Sequence, residues 1–173
     1  VFKHRGFADL GVKMKRMIRL GWVAVAVSAS ALAVAQVAIK PAGSAAEAKA
    51  AIEARQNLFK DIKKAYEPMI AMMKNQQPFD ANVVATNATR IQELSMKIPE
   101  AFAVDTHAFK DTKSEAQDRV WLSQVEFKAK TDATVQAAAA LAAAAKTGDK
   151  AATLKAIPAM GKTCGGCHDI FKF

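Results

Sequence analysis

Cysteine and aromatic side chains are scarce in this chain. Its 173 residues hold two cysteines, two tryptophans and one tyrosine, and aromatics make up only 7%. Two cysteines cannot staple a small scaffold, so the fold must rest on a packed core. No stretch reads as a strand, which leaves a sheet-based redox fold without its frame. No basic patch interleaved with aromatics is present, so RNA and DNA are not expected partners. Long apolar runs are lacking too. The one candidate, Leu20 to Ala35, falls short of the ~18–20 residues a membrane-crossing helix needs. Even the excess of positive charge is partly local. Of the net +9, the first 35 residues carry five charges (six Lys/Arg against Asp9), which leaves +4 for residues 36–173. That modest positive balance favours an acidic redox partner.

What those first residues do contain is an export pattern. Lys13, Lys15, Arg16 and Arg19 precede the apolar run, which is rich in Ala and Val and ends in Ala33-Val34-Ala35 before Gln36. A basic region, a short apolar region and a small-x-small end make a secretory signal peptide. The competing reading is a retained anchor, against which the shortness of the run speaks. Residues 1–35 are therefore read as an upstream extension plus signal peptide, with Met14 or Met17 as starts. Residues 36–173 are read as one periplasmic domain without a stable membrane anchor.

Both cysteines lie near the C-terminus, in Cys164-Gly165-Gly166-Cys167-His168. Cys-x-x-Cys-His is the attachment signature of c-type haem. The thiols add across the haem vinyl groups, and the imidazole binds iron. On a helix, Cys164 and Cys167 are i,i+3 and Cys164 and His168 are i,i+4, so the three share one face. Two other readings compete. A thioredoxin-like pair belongs beside a βαβ pattern, which is missing. Structural zinc needs four ligands, and only His107 and a few carboxylates are on hand to complete them.

The remainder reads as four helices. Ser44-Ala45-Ala46-Glu47 is a capping box opening the first, which runs through Arg55, Phe59 and Tyr66 toward Lys74. Pro68 is expected to kink or break it. Asn75 to Pro78 form a turn, and Asp80 caps the second helix, Ala81 to about Lys97. Ile98 to Asp111 is the longest connection, packed down by Phe102 and Phe109. A second capping box, Thr112-Lys113-Ser114-Glu115, is expected to open the third helix, which carries Trp121, Val125, Val135 and the alanine tract 137–145. Gly148 ends it, and Asp149 starts the fourth. The fold class is an all-α antiparallel four-helix bundle enclosing a covalently attached haem.

Five features together resemble the cytochrome c′ family, the class II c-type cytochromes. They are the C-terminal haem motif, Ala54-Arg55-Gln56-Asn57-Leu58-Phe59, Gln77-Pro78-Phe79-Asp80, Val120-Trp121 with Phe127, and Gly161-Lys162-Thr163 before Cys164. The resemblance covers nearly all of residues 45–172. It implies a left-handed bundle, often paired through its first two helices. It implies His168 as axial iron ligand, with Cys164 and Cys167 as thioether links. Arg55 and Gln56 fall on the propionate side, and the family's distal position falls on Phe59. A benzyl group donates no lone pair, so the resemblance points to five-coordinate, high-spin iron that binds NO and CO and exchanges single electrons. By spacing alone Phe59 belongs to the stripe Ile52, Phe59, Ile62, Tyr66, and such a stripe is more often core than a cofactor wall. Met69, Met72, Met73, Met96, Met160 and His107 are the other side chains able to bind iron. Two alternatives stand beside this reading. One is a six-coordinate electron carrier of the same fold. The other is a weak haem peroxidase, for which no distal acid or base is seen. The chain is not expected to be an enzyme.

Overall fold

The computed structural model describes residues 37–110 and 112–173. The expected export segment lies outside the described residues. The first long helix, α1, spans Ala45–Met73. Ser44 caps it as expected, its hydroxyl accepting from the Glu47 amide at 3.1 Å. The reciprocal half of the box is shifted outward, because Glu47 accepts from the Gly43 amide at 2.7 Å. That amide, with Lys40 beside it, holds the Glu47 carboxyl below its ordinary range.

Of the kink or break expected at Pro68, the break does not occur. The helix runs unbroken through it. The carbonyl that Pro68 orphans belongs to Lys64, which is exposed, so water can take its place. On the inner face Met69 and Met72 are buried, and Gln77 Nε2 ties the Pro68 carbonyl at 2.7 Å. Asn75 adopts φ 55°, which turns the chain out of the helix. Helix α2, Ala81–Ser95, is capped by Asp80 and buries Val84, Ala88, Ile91 and Leu94.

The connection after α2 holds more structure than expected. A one-turn helix α3, Ile98–Ala101, is followed by Val104–Asp105 (β2). This strand pairs in parallel with Lys40–Pro41 (β1), a two-residue ladder where no strand was foreseen. The third helix also begins later than expected. Ser114 spends its hydroxyl on the Ala116 amide, and Glu115 pairs with Lys172. Residues 112–118 therefore stay irregular. A short helix α4, Arg119–Leu122, leads into α5, Gln124–Lys146. This start sets the register so that Phe127, Thr131, Thr134 and Ala138 face inward, while Val125 is left 76% exposed. Gly148 closes α5 at φ 76°, the left-handed cap expected of it. Asp149 caps α6, Lys150–Phe171.

Helix α2 packs between α1 and α5, and α6 packs between α5 and α1, which closes a four-helix bundle. The alanines of α5 let α2 approach closely, with Ala88 and Ala138 fully buried. One end of the interior is filled by Met69, Val84, Ile91, Leu141, Ile157 and Met160. The other end holds an aromatic group of Phe102, Trp121, Phe127 and Phe171. Among the described residues, no helix is long and apolar enough to cross a membrane.

Candidate haem site

Beside the aromatic end lies a cavity of about 420 Å³. That lies within the range of small-molecule and cofactor sites. Its walls are largely apolar, with Ile52, Phe59 and Ile62 from α1, Phe102 after α3, Val120 from α4 and Phe127 from α5. Helix α6 contributes Cys164, Cys167 and His168, so the two thiols and the imidazole of the motif border one cavity.

A close helix contact puts α6 there. Gly161 meets Tyr66 of α1 so tightly that a Cβ at 161 would stand 2.5 Å from the Tyr66 hydroxyl. That hydroxyl donates to the Ile157 carbonyl at 3.0 Å. Tyr66 and Gly161 thus set where the next turn, carrying Cys164, hangs over the cavity. Sequence reasoning noted Gly161 but not its partner.

Both thiols are free and half-buried. Burial pushes each up from its ordinary value, and at Cys167 the neighbouring Cys164 adds to it. A dithiol oxidoreductase needs the opposite, a thiol lowered toward thiolate. The imidazole of His168 is shifted down, first by desolvation and then by Lys172, which favours its neutral, lone-pair-bearing form. Among the described residues no three His, Cys, Asp and Glu side chains converge as a metal cluster. His107, the imidazole that could have completed a zinc site, instead faces Asp105 at 2.7 Å and packs near Trp121.

The polar edge of the cavity is formed by Arg55, Gln56, Ser114, Glu115 and Lys172. Arg55 is only 4% exposed. Its Nε donates to Ala101 O at 2.8 Å, its Nη1 to Thr106 Oγ1 at 2.9 Å, and its Nη2 to Val104 O. Sequence reasoning placed Arg55 toward a propionate and missed this second role, that of holding down the α3–β2 connection. Burial pushes the guanidinium down to about 10, with Asp105 opposing, so it stays charged at neutral pH. Replacing Arg55 with Lys strands backbone carbonyls in a buried place, and an ammonium cannot reproduce the fork. The expected cost is about 2–4 kcal/mol, read as a lower urea midpoint. A shift under about 0.5 kcal/mol would show that these bonds do not hold the connection. Gln56 Nε2 donates to Lys113 O at 3.1 Å and ties the rim to α1. The rim segment is held against α6 by Gln117 N to Phe171 O and Phe173 N to Glu115 O, both at 2.9 Å. These long-range bonds leave no signal in the local sequence.

The residues present fit a porphyrin. The slot is largely apolar. Two neutral thiols and a neutral imidazole enter it from one helix. Two of the five guanidinium N–H donors of Arg55 remain after its three protein bonds, and it forms no ion pair among the described residues. Ser95, buried on the cavity wall, has a hydroxyl with no protein partner among the described residues. Among the alternative iron-binding side chains, Met69 and Met72 are buried in the opposite core, Met96 is 56% exposed and His107 is outside the cavity. Met160 borders the cavity, but from the same helix as His168.

A four-helix bundle with Cys-x-x-Cys-His on its last helix, turned into an interior apolar slot, defines a helical c-type cytochrome. The family model described as Cytochrome C′ matches residues 50–172, and the chain belongs to that family. Cytochrome c′ of Rubrivivax gelatinosus is 39% identical over 122 residues, 70% of this chain and 93% of that protein. The solved structure of cytochrome c prime from Shewanella frigidimarina superposes with a TM-score of 0.63 at 38% identity, covering 72% of this chain and 95% of that one. A nitric oxide complex of a cytochrome c prime variant from Alcaligenes xylosoxidans gives 0.64 at 26% identity, covering 72% and 94%. The cofactor of the family is a covalently attached c-type haem with iron, and this chain carries the same one. It is a haem protein and not an enzyme.

Proposed function

We propose that the chain is an exported, periplasmic haem c protein with five-coordinate, high-spin iron that binds NO and CO and passes single electrons. One observation carries the reading. From α1, the side chain bordering the cavity at the family's distal position is Phe59, while His168 borders it from α6. A bound haem supplies an iron that changes charge by one electron and takes a small neutral ligand. The protein residues do the rest. Cys164 and Cys167 tether the porphyrin rim, and His168 lends its neutral nitrogen. Arg55 and Gln56 meet the propionates at the cavity edge. Phe59 keeps water and anions from the open face and yields only to small ligands. The nitric oxide complex solved for the Alcaligenes relative supports NO as a ligand. In this reading residues 1–35 direct export and 36–173 form the functional domain. An acidic redox partner suits the +4 charge of that domain, and the resemblance adds pairing of two copies through α1 and α2.

The test is an absorption spectrum of the purified protein, reduced, with and without CO. A high-spin ferrous spectrum that converts on adding CO is expected. A low-spin ferrous spectrum indifferent to CO would overturn the five-coordinate reading.

A further inference from the structure

Phe59 does not stand alone at the cavity wall. Its ring meets Phe102 edge-on, centroids 6.3 Å apart at 65°. The two residues differ in how firmly they are held. Phe59 is half-buried, and the only ring packed on it among the described residues is Phe102. Phe102 is 6% exposed and has other neighbours on its ring. Phe127 lies at 5.0 Å and Trp121 at 6.2 Å between centroids, and the Arg55 guanidinium carbon is 4.7 Å from the same centroid.

The backbone of Phe102 is clamped as well. Trp121 Nε1 donates to the Phe102 carbonyl at 3.1 Å, and the Phe102 amide donates to Pro99 O at 3.2 Å. Arg55 grips Ala101 on one side of it and Val104 on the other. Lys40 N donates to Ala103 O at 2.9 Å from the outer side. Phe102 is thus the more firmly held of the two rings, and Phe59, half-buried with one aromatic neighbour, is the less constrained.

We infer that Phe102 sets how readily a diatomic ligand gains the space behind Phe59, acting as the positioning residue of an aromatic gate. This rests on the distal reading of Phe59. A ligand that displaces Phe59 must drive its ring off or against the more firmly held ring of Phe102. Edge-to-face pairs are worth enough that losing one changes a rate by roughly two- to tenfold. A smaller, more pliant residue at 102 gives Phe59 room to swing.

The experiment measures CO association with the reduced holoprotein after flash photolysis, together with the bound CO stretch. The parent is compared with Phe102→Leu, Phe59→Ala and the double variant. Phe102→Leu is expected to speed association roughly two- to tenfold, and Phe59→Ala more. The double variant is expected to match Phe59→Ala, because a stop has no effect once the gate is gone. Trp121→Phe, which deletes the indole donor to the Phe102 carbonyl, gives a smaller acceleration in the same direction. It serves as the test if Phe102→Leu does not retain haem. If Phe59→Ala accelerates binding while Phe102→Leu and Trp121→Phe leave it unchanged, the inference fails and the distal reading stands. Effects of 59 and 102 that multiply also overturn it, since they would mean separate actions. A rate and stretch unmoved by Phe59→Ala would overturn the distal reading of Phe59 itself.

Discussion

Replacing Cys164 and Cys167 together with alanine is expected to give a protein without covalent haem and without a cooperative fold. The first half follows from geometry. The two thiols are the only ones in the chain, and both border the same cavity from one face of α6. No other side chain can form a thioether. The second half follows from the size of the cavity. Unfilled core space costs about 24 cal/mol per Å³, so a cavity of about 420 Å³ left empty amounts to about 10 kcal/mol. The cavity opens to solvent at its polar edge, so this is an upper bound. Even about half of it reaches the lower end of ordinary domain stability, about 5 kcal/mol. The helices should persist, since the alanine tract of α5 and the caps at Ser44, Asp80 and Asp149 act locally. The aromatic end should lose its fixed packing. The readouts are a haem stain on a denaturing gel, near-ultraviolet circular dichroism and a thermal melt. Stain retained in the double variant would place the attachment elsewhere. A melt as sharp and as high as the parent's would show that the bundle supports its cavity unaided.

That separation between local and long-range control also explains what was legible in the sequence. The caps at Ser44, Asp80 and Asp149 and the left-handed Gly148 are decided within four residues, and each appears where the residue types place it. The spacing of Val84, Ala88, Ile91 and Leu94 likewise marked the buried face of α2. The errors fall where a distant partner outbids a local one. Thr112 to Glu115 spell a capping box, but Glu115 is drawn to Lys172, 57 residues away, and the helix starts after it. Pro68 should kink or break α1 on local grounds, yet the helix continues through it, with Met69 and Met72 beyond it anchored in the core. The β1–β2 ladder joins residues 64 apart and leaves no trace in either segment. At the site, the chemistry was readable because Cys-x-x-Cys-His is contiguous. The arrangement around it was not, because Arg55 with Val104, Tyr66 with Gly161 and Phe59 with Phe102 are contacts across the bundle.

On the proposed five-coordinate reading, Phe59→Met is expected to convert the protein to a ligand-saturated form. Position 59 borders the cavity from α1, which runs unbroken from Ala45 to Met73 and gives the side chain a firm base. Methionine is unbranched and adaptable, and its thioether has a lone pair that the phenyl ring lacks. Thioether and imidazole together are an axial pair known from low-spin cytochromes. The fold should tolerate the change. Phe59 is only half-buried, and apolar replacements of similar volume usually cost under about 1.5 kcal/mol. The spectral change should therefore be much larger than the change in melting temperature. The expected result is a low-spin spectrum in both oxidation states and CO binding that is slowed at least about tenfold, because the sulfur must first leave. Phe59→Leu is the control. It alters size without adding a donor, so it should stay high-spin and bind CO. The pair of variants separates coordination from packing. If Phe59→Met remained high-spin with unchanged CO binding, Phe59 would be an ordinary member of the α1 stripe with Ile52, Ile62 and Tyr66, and the open coordination position would face some other wall of the cavity.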